Sequence, residues 1–67
     1  MIIEADIWRA AEQMRKVHGA DAAIQAAMRG DDLLAHGDVD GFAVWKRVVA
    51  AVNELDRVTA RDGEARH

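Results

Sequence analysis

The stretch from Leu33 to Trp45, Leu-Leu-Ala-His-Gly-Asp-Val-Asp-Gly-Phe-Ala-Val-Trp, constrains the fold more than any other part of the chain. It reads as the end of one helix, a tight turn and the start of the longest helix. Gly37 stands where a helix is closed by a residue in the left-handed conformation, which glycine adopts without a Cβ penalty. Asp38 follows as an N-cap, its carboxylate placed to accept from the unpaired N–H groups of the next first turn. Asp40 lies just inside, against the positive end of that helix. Such a turn lets everything before it fold back on everything after it.

Similar punctuation comes earlier. His18-Gly19-Ala20-Asp21 closes one helix and opens another, with Gly19 in the role of Gly37 and Asp21 in that of Asp38. Proline is absent, alanine is abundant and no segment supports a strand, which is an all-helical composition. Met1 to Ile3 are read as a loose start. Apolar residues at Ile3, Ile7, Ala10, Ala11, Met14 and Val17 then mark one face of a first helix. Glu12 and Lys16, four apart in the favourable order, lie on its other face. A second helix is predicted from about Ala22 to His36. Its inward stripe is Ala20, Ala23, Ile24, Ala27 and Leu34, with Met28 and Ala35 on the margin. Ala22, Ala26 and Leu33 form a small apolar strip on its flank. Gly30 falls mid-helix at a cost of ~1 kcal/mol relative to alanine.

The third helix is predicted to begin after Asp38 and to run to about Thr59 or Arg61. Phe42, Trp45, Val48, Val49, Val52 and Leu55 make its first stripe, and Val44, Ala51 and Val58 a second beside it. Together they cover ~200° of the helix wheel, where ~100° is enough for one buried face. The predicted fold is therefore an all-α, three-helix up–down–up bundle with a longer third helix, in a single domain over residues 1–60. Its helices are placed at approximately 4–18, 21–36 and 39–60. Its core is assigned to Ile7, Ala11, Met14, Ile24, Ala27, Leu34, Trp45, Val48, Val52 and Leu55. Residues 61–67 are polar and glycine-interrupted, and read as a disordered tail.

A chain of 67 residues makes one small domain, and such a domain buries only ~60% of the surface its unfolded form exposes. Without cysteine it has neither disulfides nor thiolate metal sites. No signal-type N-terminus is present, which leads to the expectation of a cytoplasmic protein. The longest apolar runs are only a few residues, too short to span a bilayer. Nine basic against twelve acidic residues give a formal charge of −3, ordinary for solubility and unhelpful for gripping phosphates.

When Gly41 is aligned with the glycine of a calcium loop, His36 takes the first ligand position and Arg47 the last, so the loop fails. Gly37 and Gly41 bracket two aspartates and make no membrane GxxxG motif. There is no Gly-rich phosphate loop and no HExxH, serine and tyrosine are absent, and Thr59 is the only hydroxyl-bearing side chain. Nucleophilic catalysis thus has no candidate nucleophile with a base, and no catalytic residue, cofactor or metal is assigned. His18 and His36 read as solvated helix ends, with no third ligand in reach. Asp31 projects onto the inward stripe of the second helix. It is read as a rim carboxylate in preference to a buried acid, which would need a ligand cavity beside it. For nucleic acid, the helix after the turn opens with Asp38 and Asp40, which repel phosphates, and the basic residues make no stripe.

The run Asp6-Ile7-Trp8-Arg9-Ala10-Ala11, then His18-Gly19-Ala20-Asp21-Ala22-Ala23, then Leu33-Leu34 with Gly37-Asp38-Val39-Asp40-Gly41, and Val44-Trp45, resembles a family of short all-helical proteins of unknown function, chiefly alphaproteobacterial. The resemblance covers nearly the whole chain and carries no activity to transfer. Gly30 departs from the alanine expected there. The Leu-Leu-x-x-Gly-Asp-x-x-Gly hairpin is also faintly similar to a tetratricopeptide unit, but no repeat accompanies it.

The sequence points to a non-enzymatic protein–protein interaction module, self-associating or docking another helical protein. Its expected contact surface is the Val44, Ala51 and Val58 flank of the third helix, with Trp8 as a possible anchor at the margin of the first. The alternative is a small regulatory protein acting on nucleic acid or a transcription complex.

Overall fold

The computed structural model describes the backbone of residues 4–65 and the side chains of residues 4–59. Its described residues are all-α and form two helical stretches separated by a single turn. The first stretch runs without interruption from Glu4 to Ala35. It consists of α1, Glu4–His18, a 3-10 turn, Gly19–Asp21, and α2, Ala22–Ala35. The second is α3, Val39–Ala65. This corrects the three-helix bundle expected from the sequence, which required two loops between three separate helices.

The reason lies at Gly19. It takes the left-handed conformation expected of it, with φ of 59°. The residues after it nevertheless keep winding, and the N–H of Ala22 donates to the Gly19 carbonyl. The path departs from right-handed helical geometry only at Gly19 and resumes winding at once. Asp21 lies inside this turn with ψ of 5° and makes no capping hydrogen bond, contrary to its expected role. A side chain caps when its residue is extended and so reaches over the following turn.

The connection from Ala35 to Val39 is the one predicted. Gly37 has φ of 85°. The N–H of Asp38 donates to the Leu33 carbonyl at 2.9 Å and that of Gly37 to the Leu34 carbonyl at 3.0 Å, the paired bonds of a Schellman motif. Asp38 then accepts from the Gly41 N–H at 2.8 Å through Oδ1, so it closes one helix and caps the next. The third helix extends past the predicted boundary at 60 to Ala65. Side chains from Ala60 onward, all of Arg66 and His67, and the start Met1–Ile3 lie outside the described residues, and with them most of the segment read as a tail.

Both arms of the first stretch pack on α3. Near its start α1 lines a surface hollow with Arg47, Ala50 and Ala51. Near its end Arg15 donates to Asp56 at 2.9 Å and to Thr59 at 3.1 Å. The core is built from Ile7, Ala11, Ala22, Ala26, Val48, Ala51 and Val52. Met14, Trp45 and Leu55, expected inside, are partly buried against it.

For α2 the predicted core is corrected. Ile24, Ala27 and Leu34 face solvent, and the buried face is Ala22, Ala26 and Gly30. These smallest residues sit four apart, on one side of the helix. They let α2 lie close against α3: a Cβ built on Gly30 would stand 3.2 Å from the Trp45 Cβ and 3.7 Å from the Phe42 carbonyl oxygen. Gly30 is therefore where two backbones approach, a reason for glycine that outweighs its poor helix propensity.

Candidate interaction surface

With its alanines turned inward, α2 presents its larger side chains to water. Ile24 is 61% exposed, Met28 57% and Leu34 43%. Ala27 and Ala35 lie on the same side and are also exposed. Positions 24, 27, 28 and 35 recur at the spacing of one helix face, with Asp31 among them and Leu34 at its edge. An apolar face of this kind, left open on a small protein, is the usual mark of a contact surface.

The face continues into a groove of about 250 Å³ between α2 and α3, lined by Ala26, Ala27, Gly30, Asp31, Phe42, Trp45, Lys46 and Val49. No residue of α1 contributes to it. The arm α1 instead covers the opposite flank of α3, where Ile7 packs with Val48, Ala51 and Val52. The groove walls are apolar and its rims are charged. Asp31 stands on the α2 side, exposed as the rim reading required. On the α3 side the Lys46 ammonium lies 5.5 Å from the centre of the Phe42 ring, a cation–π contact that leaves it at the groove's edge. Arg29 lies over the other aromatic residue of this region, 5.8 Å from the centre of the Trp45 ring.

The flank of α3 singled out in the sequence is placed differently. Ala51 is only 4% exposed and belongs to the core, and Val44 is half-buried against it. Val58 and Trp8 are exposed but lie at separate places, Val58 toward the end of α3 and Trp8 over the Arg47–Ala51 hollow. The bent first stretch uses most of the second stripe. The four residues do not form one open surface.

Polar chemistry is dispersed. Among the described residues, no group of three His, Cys, Asp or Glu side chains is gathered as for a metal ion. Thr59 accepts from Arg15, and no histidine lies against it in the described contacts. His36 Nδ1 donates to the Asp32 carbonyl at 2.8 Å, on the surface. Three arginines pair with carboxylates, Arg9 with Asp6, Arg15 with Asp56 and Arg57 with Glu54. Among the described residues no helix is long and apolar enough to cross a membrane. Comparison with protein-family models, curated proteins and solved structures finds no match.

The open face of α2 is not evident from hydrophobicity alone. Hydrophobicity favours Ile24 and Leu34 for the interior, whereas the spacing Ala22-x-x-x-Ala26-x-x-x-Gly30 was the available signal of a closely packed face.

Proposed function

We propose that this protein is a non-enzymatic protein–protein interaction module whose docking surface is the outer face of α2 together with its groove against α3. The observation that carries this reading is the solvent exposure of Ile24, Met28 and Leu34 on a helix that buries its alanines. Apolar anchors at helical spacing beside a groove suit the docking of another amphipathic helix. The charged rims would fix the orientation of that helix, and the apolar floor would supply most of the affinity.

A photo-crosslinking residue placed at Met28 tests this in cells, with the same residue at exposed Glu12 of α1 as the control. The expected result is a discrete adduct of defined mass from position 28 and none from position 12. Equal, diffuse labelling from both positions would refute the reading.

A further inference from the structure

The groove between α2 and α3 carries opposite charges on its two rims, and this bears on what can cover it. Asp31 and Lys46 line the same cavity. They stand at nearly the same height along the helix pair, because Gly30 is seated against Trp45 one residue away from each. Neither belongs to any of the ion pairs found among the described residues. A surface with one negative rim and one positive rim at the same level is complementary to itself, provided the copy is turned the right way.

Two symmetric arrangements can be compared. If a two-fold axis crosses the helices at right angles, α2 lies on α2 and each Asp31 approaches the other, which is unfavourable on a desolvated surface. If the axis runs along the helix pair, α2 of one copy lies over α3 of the other. Each negative rim then meets a positive one, twice, and the two grooves, each with Ala27 of α2 and Phe42 and Val49 of α3, close on one another in a four-helix arrangement. We infer that the partner is a second copy of this chain, joined along such an axis, with Asp31 paired to the partner's Lys46 on both sides.

This inference rests on the interaction reading and narrows it to one partner. The contact is modest in size. A helix pair with α2's 14 residues is about 20 Å long and about 20 Å wide, about 400 Å² on each copy and so below the size of stable specific interfaces. The dimer is therefore a weak, reversible one.

Charge exchange between copies provides the test. Asp31→Lys and Lys46→Asp are made separately, each at an exposed position. Wild type, each variant and their equimolar mixture are followed by sedimentation equilibrium from about 1 μM to 1 mM, a range that reaches weak association. Circular dichroism confirms that each remains helical. Wild type should dimerise. Each variant alone should bind itself roughly 30-fold more weakly, since two exposed attractions become two repulsions. The mixture should recover dimerisation, because lysine at 31 then meets the aspartate introduced at 46 and the native Asp31 meets the native Lys46.

A dimer whose variants are not rescued by mixing would overturn the proposed arrangement. A wild-type monomer throughout would overturn the second copy as partner, whereas the Met28 crosslink decides separately whether this face binds any protein. If either charge variant loses its helicity, cysteine pairing replaces it. The chain has no cysteine of its own, so Asp31→Cys and Lys46→Cys can be mixed under mild oxidation. The heterodisulfide should predominate over both homodisulfides, and a predominance of the Asp31→Cys homodisulfide would overturn the arrangement.

Discussion

Replacing Ala26 by leucine and, separately, Ile24 by alanine asks which face of α2 holds the fold together. Ala26 has no accessible surface, and one turn further on the backbones of α2 and α3 are so close that even one added carbon at Gly30 would stand 3.2 Å from the Trp45 Cβ. Leucine at 26 adds three carbons in that interface. Overpacking of this kind costs about 1–3 kcal/mol, and with backbone as the opposing wall the upper end is expected. Ile24 is 61% exposed, so its side chain gains only about two-fifths of the burial free energy of an interior isoleucine. That share is about 1 kcal/mol. Alanine's better helix propensity returns roughly 0.4 kcal/mol of it, leaving a net loss of about 0.5 kcal/mol.

The same pair of substitutions gives the opposite order if Ile24 points inward. An interior Ile→Ala change costs about 2–5 kcal/mol, and leucine at a flanking alanine would be nearly neutral. The assay is thermal unfolding followed by circular dichroism, with urea unfolding for the free-energy difference. A 67-residue chain has a total stability of about 3–10 kcal/mol. Ala26→Leu should therefore lower the melting temperature by about 10–20 °C or unfold the protein, and Ile24→Ala should lower it by only a few degrees. Because Ile24 lies on the proposed contact surface, both variants are measured at two protein concentrations, and the concentration-independent part is compared. A larger loss for Ile24→Ala than for Ala26→Leu would refute the assignment of the buried face.

Other consequences are open to similar measurements. Asp38→Ala removes the bond to the Gly41 N–H and should cost about 1 kcal/mol in urea unfolding, whereas Asp21→Ala, which removes no cap, should stay within about 0.5 kcal/mol. Gly19→Ala and Gly37→Ala should each cost about 1–2 kcal/mol although an added Cβ meets nothing within 4 Å at either position, because the penalty is one of backbone conformation; unchanged melting of both would contradict the positive φ angles. Arg15→Ala should cost about 1 kcal/mol through its partly exposed pair with Asp56, and the gap to wild type should narrow in 1 M salt; a gap unaffected by salt would assign the loss to packing instead.

How much of this was legible in sequence depended on whether the deciding interaction was local. The turn at Gly37 and Asp38 was legible because its parts are neighbours: a left-handed glycine, a carboxylate and the N–H three residues on. The bend at Gly19 shows the limit of that logic. The same residue types, His-Gly followed by aspartate, give a loop-like turn in one place and an uninterrupted 3-10 connection in the other. The difference is one residue of spacing, since Asp38 directly follows its glycine and Asp21 comes two after. At Asp38 a single residue closes one helix and caps the next, whereas at the first turn Ala20 intervenes and Asp21 lies within the 3-10 turn without a capping bond.

The contact surface was misplaced for a reason that also connects the fold to the proposed function. Scoring α2 by hydrophobicity sends its largest apolar residues inward, and the same reasoning then leaves the second stripe of α3 without cover. The chain does the reverse. Two alanines and a glycine let α2 approach α3 closely, Ala51 is buried in the core and Val44 is partly buried against it, so the stripe on α3 is largely covered and the surplus appears on α2. Placing Ile24 and Leu34 inside would force α2 away from α3 and open the contact at Gly30. The exposed apolar face and the tight α2–α3 contact are thus a single choice of rotation about one helix axis. A variant that turned α2 to hide Ile24 would lose the close approach at Gly30 together with the open face.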